Sequence, residues 1–212
     1  MSIVKCNKEL NEFCEVAKNA PYIAIDTEFM RDRTYYAKLC SIQVAYKFKD
    51  SKKAIVIDAL SKDLDLKPFY ALFTNKKILK VFHAARQDIE IFYHIAKILP
   101  KPFFDTQIGA MVCGFGDQVG YETLIKRLIN VTIDKSSRFT DWAQRPLSKK
   151  QIEYALSDVT YLCDVYEILS TSLIKTKREE WVREELESLT DPKTYDFAPR
   201  NAWKKIKMRN GS

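Results

Sequence analysis

The chain has 212 residues, 46% of them hydrophobic and 12% aromatic, with a formal net charge of +7; this suits one well-buried globular domain. Its longest apolar runs are strand-sized or interrupted by Lys and Glu, well short of the roughly 20 residues that a bilayer-spanning helix needs. Five cysteines, Cys6, Cys14, Cys40, Cys113 and Cys163, are odd in number and form no C-x-x-C pair, which argues against a disulfide framework or zinc knuckle and for reduced, mostly buried thiols.

The first 20 residues, MSIVKCNKELNEFCEVAKNA, carry charges throughout and no apolar h-region, so the expectation is a cytoplasmic protein without a signal peptide or membrane contact. Residues 22 to 29, 39 to 46 and 53 to 58 (KAIVID) read as three strands separated by polar turns, short enough for an antiparallel meander. The first of them ends on Asp26 and Glu28. Side chains alternate faces along a strand, so these two acids point to the same side while Thr27 points away. Two such charges about 4 Å apart repel by roughly 4 kcal/mol at an effective dielectric near 20. A proton, a basic side chain or a cation must offset that, unless the acids merely mark the solvated end of a strand.

A short helical stretch, LKPFYALFTN, precedes a strand at KILKVFHA, and in RQDIEIFYHIAKIL the residues Ile89, Phe92, Ile95 and Ala96 recur at helical spacing. KPFFDTQ reads as a last strand running into a helix. Beyond residue 107 the pattern is helical, broken by GFGDQVG and NVTIDKSSRFTDWAQRP. Gly114, Gly116 and Gly120 are spaced one residue too long for G-x-G-x-x-G and follow a helix, so they read as a turn between helices. Ser148 and Gln151 stand in capping-box spacing after Pro146 at the start of a long helix. Its core face is Ile152, Ala155, Leu156, Val159 and Leu162, and Tyr154 and Asp158 lie at i and i+4, side by side.

Residues 193 to 212 carry six Lys or Arg against one Asp, a net +5 of the chain's +7. A basic tail with Trp203 among the lysines suits a polyanion partner or a solvated terminus.

Four acids stand out by position: Asp26 and Glu28 at a strand end, Asp88 just after KILKVFHA, and Asp158 on the late helix. Asp88 lies 60 residues beyond Glu28 and Asp158 a further 70, so only the fold can bring them together. Singly, Asp88 reads as a helix N-terminal acid stabilised by the dipole and Asp158 as a surface residue.

Taken with DTEFMRDRTYYAKLCSIQ, KVFHAARQDIEIF, FDTQIGAMVCGFGDQVGYETL and DKSSRFTDWAQRPLSKKQIEYALSDVTYL, these acids make the chain resemble the DEDD superfamily of 3′-5′ exonucleases, and within it the ribonuclease D family, over residues 20 to 192. The resemblance implies that Asp26, Glu28, Asp88 and Asp158 bind metal. It makes Tyr154 the tyrosine of the Y branch, placed to aim the attacking water. Two divalent cations follow, Mg²⁺ or Mn²⁺, which suit an all-oxygen site; His83 and His94 offer little nitrogen for zinc.

The implied fold is α/β, a ribonuclease H-like 3′-5′ exonuclease fold with a mixed five-stranded sheet surrounded by helices and the acids clustered at one sheet edge. The implied activity is metal-dependent 3′-5′ trimming of RNA ends, tRNA-precursor-like substrates among them, to nucleoside 5′-monophosphates. A DNA exonuclease of the same superfamily and a noncatalytic RNA-binding module are the alternatives. The expected partner is single-stranded RNA 3′ ends, contacted by Thr27, by Phe29 and Met30 through base stacking, with Phe29 equally suited to the core, by His83, which also reads as a structural histidine, and by Lys135 and Arg138, which read as phosphate contacts or as ordinary exposed loop charges. Asp105 reads as a structural cap between strand and helix. Longer family members continue into helical HRDC modules, so residues 1–192 are expected as the exonuclease domain and 193–212 as the basic tail, with no HRDC domain. The oligomeric state has no sequence signal.

Overall fold

Strand β2 (Tyr22–Met30) is the spine of the structure. The computed structural model describes residues 3–48, 51–134, 136–196 and 199–200. β2 pairs antiparallel with β3 (Lys38–Phe48), which pairs antiparallel with β4 (Ser51–Asp58), giving the expected meander. β5 (Leu79–Phe82) runs parallel beside β2, and β6 (Phe103–Asp105) runs parallel beside β5.

Among the described residues the mixed sheet has six strands rather than five, in the order β1-β4-β3-β2-β5-β6. The unforeseen strand, β1 (Ile3–Val4), is two residues long and parallel to β4. Two residues cannot show a period of two, so this strand exists only through its pairing. Helix α1 (Asn7–Ala17) follows it and buries Leu10, Phe13, Cys14 and Ala17, apolar positions at helical spacing.

The remaining helices are α2 (Lys67–Thr74), α3 (Arg86–Ala96), α4 (Thr106–Val112), α5 (Tyr121–Ile129), α6 (Lys149–Thr176) and α7 (Glu179–Thr190), with a short 3₁₀ turn at Pro192–Thr194. Gly114 and Gly116, with φ of 88° and 99°, turn the chain between α4 and α5, a conformation that a side chain resists. The capping box of α6 is complete: the Ser148 hydroxyl accepts from Gln151 N at 3.2 Å and the Gln151 carboxamide accepts from Ser148 N at 2.9 Å. In α3 the core face is Ile89, Ile91 and Phe92; Ile95 is turned to solvent.

Strand alternation distributes β2 between two cores. Ile23 and Ile25 join Phe69, Phe73, Phe82 and Phe92 on one side of the sheet. Tyr22 and Ala24 face the other way, against Val159, Leu162 and Cys163 of α6. The acids do not lie at a sheet edge, because β2 is an interior strand between β3 and β5. What opens it is length: pairing with β5 ends at Ala24 opposite Val81, while pairing with β3 continues to Met30. The carboxyl end of β2 therefore has a free flank inside the molecule.

The chain stays packed through Tyr195, whose ring lies 5.8 Å from that of Tyr93. Residues 201–212, with Trp203 and four of the six basic residues expected in the tail, lie outside the described residues, as does Lys135. No helix among the described residues is long and apolar enough to cross a membrane.

Candidate active site

The alternation that sends Tyr22 and Ala24 toward α6 continues to Asp26 and Glu28. Their carboxylates meet that of Asp158, and one ligand oxygen from each of the three lies within 4.8 Å of the others. Asp158 is there because α6 packs its Ala155, Val159 and Leu162 against the sheet. The buried hydroxyl of Tyr121 also donates to the Asp158 backbone carbonyl, fixing that turn of α6.

Thr27 faces the opposite side and donates to Asp88 Oδ1 at 2.5 Å. Asp88, in the first turn of α3, is 7% exposed. The fourth acid thus approaches from the other face of the sheet, and the open flank of β2 lets the two sets come together. Between Glu28 and Phe29 the pairing with β3 slips by one residue, a bulge that re-aims the end of the strand.

Burial is the leading cause that raises the carboxyl pKa values here. It pushes Asp26 up to about 8, with repulsion from Asp158 adding and the Thr27 backbone bond opposing. Glu28 is raised by burial and then by Asp26, Asp158 and Asp88, while the Arg138 guanidinium pulls the other way. Burial carries Asp158 up to about 7 against a hydrogen bond from Tyr154 and the charge of Arg138. Asp88 is raised well above the carboxylate range by burial and by Asp26. Each pair of like charges at about 4 Å costs roughly 4 kcal/mol at an effective dielectric near 20, so without a counter-charge the cluster holds protons. An all-oxygen set of this kind fits a hard divalent cation, which removes the repulsion that the protons otherwise relieve.

The acids line a cleft of about 670 Å³ with Thr27, Phe29, His83, Tyr154 and Arg138. The Tyr154 phenol is pushed far up, first by burial and then by Asp158, Glu28 and Asp26, so it is protonated throughout the neutral range. His83 is engaged: its Nδ1 is 3.0 Å from Thr106 Oγ1 and its ring packs 5.1 Å from Tyr121. Burial lowers its pKa and keeps it neutral. Met30 is not part of the cleft lining and packs with Trp142 and Leu147. Asp105 is the expected cap and does more: it accepts from Gln107 N at the start of α4 and from Ala84 N and Ala85 N just before α3, at 2.8 to 2.9 Å. One carboxylate so anchors the start of α4 and the start of α3, the helix that carries Asp88.

A family model described as 3′-5′ exonuclease matches residues 1–174. The chain belongs to the 3′-5′ exonuclease family. It is 54% identical over 204 residues to ribonuclease D of Jannaschia sp. (strain CCS1), covering 96% of this chain and 53% of that protein. Identity with ribonuclease D of Nitrobacter hamburgensis is 50% over 209 residues, covering 99% and 54%. Among solved structures, Escherichia coli RNase D, an exoribonuclease involved in structured RNA processing, superposes with a TM-score of 0.87 at 34% identity, over 96% of this chain and 53% of that one. Brucella melitensis NrnC with bound Mg²⁺ superposes with a TM-score of 0.73 at 25% identity, over 92% and 93%. The chain spans about half the length of the curated relatives it matches. The ribonuclease H-like exonuclease fold implied by the motifs is therefore the fold of this chain.

Sequence reasoning passed over several residues in and around this cleft. Tyr121 stood unremarked inside GFGDQVGYETL. Ser41 and Gln43, both wholly buried, oppose Glu28 and Asp26 on β3 and were hidden in a strand read only for its apolar alternation. Arg145, which also stood unremarked, clamps the 137–146 segment to Asp58 at 2.7 to 3.0 Å.

Proposed function

We propose that this chain is a metal-dependent 3′-5′ exoribonuclease that trims single-stranded RNA 3′ ends, tRNA-precursor-like ends included, and releases nucleoside 5′-monophosphates. The observation that carries this reading is the convergence of Asp26, Glu28 and Asp158 to within 4.8 Å, in a cleft that also holds Asp88 and Tyr154. The ribonuclease D relatives support RNA as the substrate.

Two divalent cations, Mg²⁺ or Mn²⁺, complete the site in this reading. Asp26, Glu28, Asp158 and Asp88 would hold them. When bound, such cations supply Lewis-acid stabilisation of the charge that builds on the phosphodiester oxygens as water attacks in line.

The chain's own groups bind and orient. Tyr154 stays protonated and hydrogen-bonds the Asp158 carboxylate. Its phenol oxygen remains free to accept from the attacking water, which leaves a water lone pair directed at phosphorus. Phe29 presents an aromatic face to the terminal bases, and stacking of this kind tolerates any base, as an end-trimming enzyme requires. Arg138, which lines the cleft, serves as a phosphate contact, and the same role is assigned to Lys135 from the sequence. Thr27 positions Asp88, and neutral His83 shapes the wall of the cleft.

The test is cleavage of 5′-labelled single-stranded RNA and DNA of one sequence with Mg²⁺, with Mn²⁺ and with EDTA. The expected result is an RNA ladder shortening one nucleotide at a time from the 3′ end, absent in EDTA. Internal cuts, or cleavage indifferent to EDTA, would overturn the reading, and faster cleavage of DNA would move the enzyme to the DNA exonucleases of the family.

A further inference from the structure

Phe139 is 90% exposed, the most exposed large hydrophobic among the described residues. Phenylalanine ordinarily gains by burial, and a ring left in water inside a functional cleft has a use for that face. Phe139 lines the same cleft as Asp26, Glu28 and Tyr154. Its exposure is not that of a loose tip. Ser137 and Trp142 on either side of it are 4% and 2% exposed. The Thr140 hydroxyl donates to Ser137 O at 2.7 Å and accepts from the Gln151 carboxamide at 3.1 Å, while Arg145 donates to Trp142 O at 2.7 Å. The segment is anchored at both ends, and Phe139 is the part it presents.

The guanidinium of Arg138 lies 5.2 Å from the centroid of the Phe139 ring, and its charge reaches Glu28 and Asp158. A cation held on a π face by so open a contact is easily exchanged. We propose that Phe139 is a stacking lip for the 3′-terminal base of the substrate. The base takes the ring face that Arg138 covers, and Arg138 passes to the adjoining phosphate. Phe29, on β2, lines the same cleft, so the terminal nucleotide meets an aromatic surface from the sheet and another from the lip. This rests on the exonuclease reading of the site and adds to it the residue that grips the end to be removed.

The experiment is a cycle between protein and substrate. Single-turnover cleavage is measured for wild type, Phe139→Ala and Phe139→Trp on a ten-nucleotide RNA ending in adenosine and on the same RNA with an abasic ribose at the 3′ end. On the adenosine-ended RNA, Phe139→Ala should need about 5- to 150-fold more enzyme for half-saturation, as loss of one stacked base implies, with the saturated rate changing far less. Phe139→Trp should stay close to wild type. On the abasic RNA, Phe139→Ala and wild type should be equal. Equal losses on both RNAs, or no loss on either, would overturn the stacking lip while leaving the exonuclease standing. A wild-type protein that cleaves neither RNA would overturn the functional reading, and the lip with it. Since the ring is exposed, melting temperature should not move among the three proteins.

Discussion

The Thr27 hydroxyl donates to Asp88 Oδ1 at 2.5 Å, tying the middle of β2 to the first turn of α3. Thr27 stands between Asp26 and Glu28 but faces the opposite core, so one tripeptide supplies two of the four acids and holds a third, Asp88, through its hydroxyl.

That tether makes Thr27 a positioning residue. Thr27→Val keeps the shape and removes the donor, and should raise the Mg²⁺ concentration for half-maximal cleavage by roughly 10- to 100-fold, the usual effect of losing a bond that orients a metal ligand. Thr27→Ser should restore most of it. A metal titration of activity for the three proteins decides; identical midpoints would leave the bond without a role in the site.

Asp26→Asn and Asp88→Asn each remove a charge from the cluster. Cleavage should fall below about 1% of wild type at saturating metal, because charge neutralisation at the phosphodiester is a term worth several kcal/mol. The metal-free variants should melt no lower than wild type, since one carboxylate of a mutually repelling, buried set is gone. A variant with wild-type rate would remove that residue from the metal site.

Tyr154→Phe keeps the ring that packs 6.2 Å from Trp142 and removes only the hydroxyl. We expect kcat to fall on the order of 100-fold with little change in KM, and stability to change by about 1 kcal/mol. If the rate per folded molecule is unchanged, Tyr154 is a packing residue.

The raised carboxylates set a pH dependence whose sign follows from proton counts. Between the ordinary carboxylate range and the values of about 7 for Asp158 and about 8 for Asp26, the folded protein holds protons that the unfolded chain has released. The metal-free protein therefore loses stability from these groups as pH rises through that window. Divalent cations must displace the same protons, so their affinity rises over the same range. Melting temperatures with EDTA and with millimolar Mn²⁺ should diverge as pH goes from about 5 to about 8, and less so for Asp26→Asn. A stabilisation by Mn²⁺ that shrinks over that range would contradict the arrangement.

Arg145 spends all its donors. Nε and Nη2 hold Asp58, Nη2 also reaches Cys40 O, and Nη1 reaches Trp142 O and Gln144 O. Arg145→Ala leaves Asp58, 4% exposed, as a buried uncompensated charge and should cost about 3 to 5 kcal/mol in a urea melt. Adding Asp58→Asn should recover part of that. Lysine cannot reproduce a planar, five-donor fork, so Arg145→Lys should also weaken RNA binding by loosening the segment that carries Arg138 and Phe139.

The sequence by itself determined what is local. Period-two alternation in YIAIDTEF put Asp26 and Glu28 on one face and Thr27 on the other; i, i+4 spacing put Tyr154 beside Asp158; Ser148 and Gln151 marked the start of α6; Asp105 read as a cap. It also carried the family, because several long motifs coincide with four acids in order. The tertiary structure decided what depends on who stands next to whom. A strand and the strand that ends beside it are far apart in the chain, so the sequence could not show that β5 stops at Phe82 and opens the interior flank of β2, the opening that the expectation had placed at a sheet edge. Lys80 is a charge inside the strand read at KILKVFHA, yet its ammonium is buried and donates to the carbonyls of Asn75, Ile78 and Lys101 at 2.6 to 2.8 Å. Phe139 reads as a core residue by hydrophobicity alone. Burial and exposure are properties of neighbours brought together by folding, and residue type and spacing along the chain do not show them.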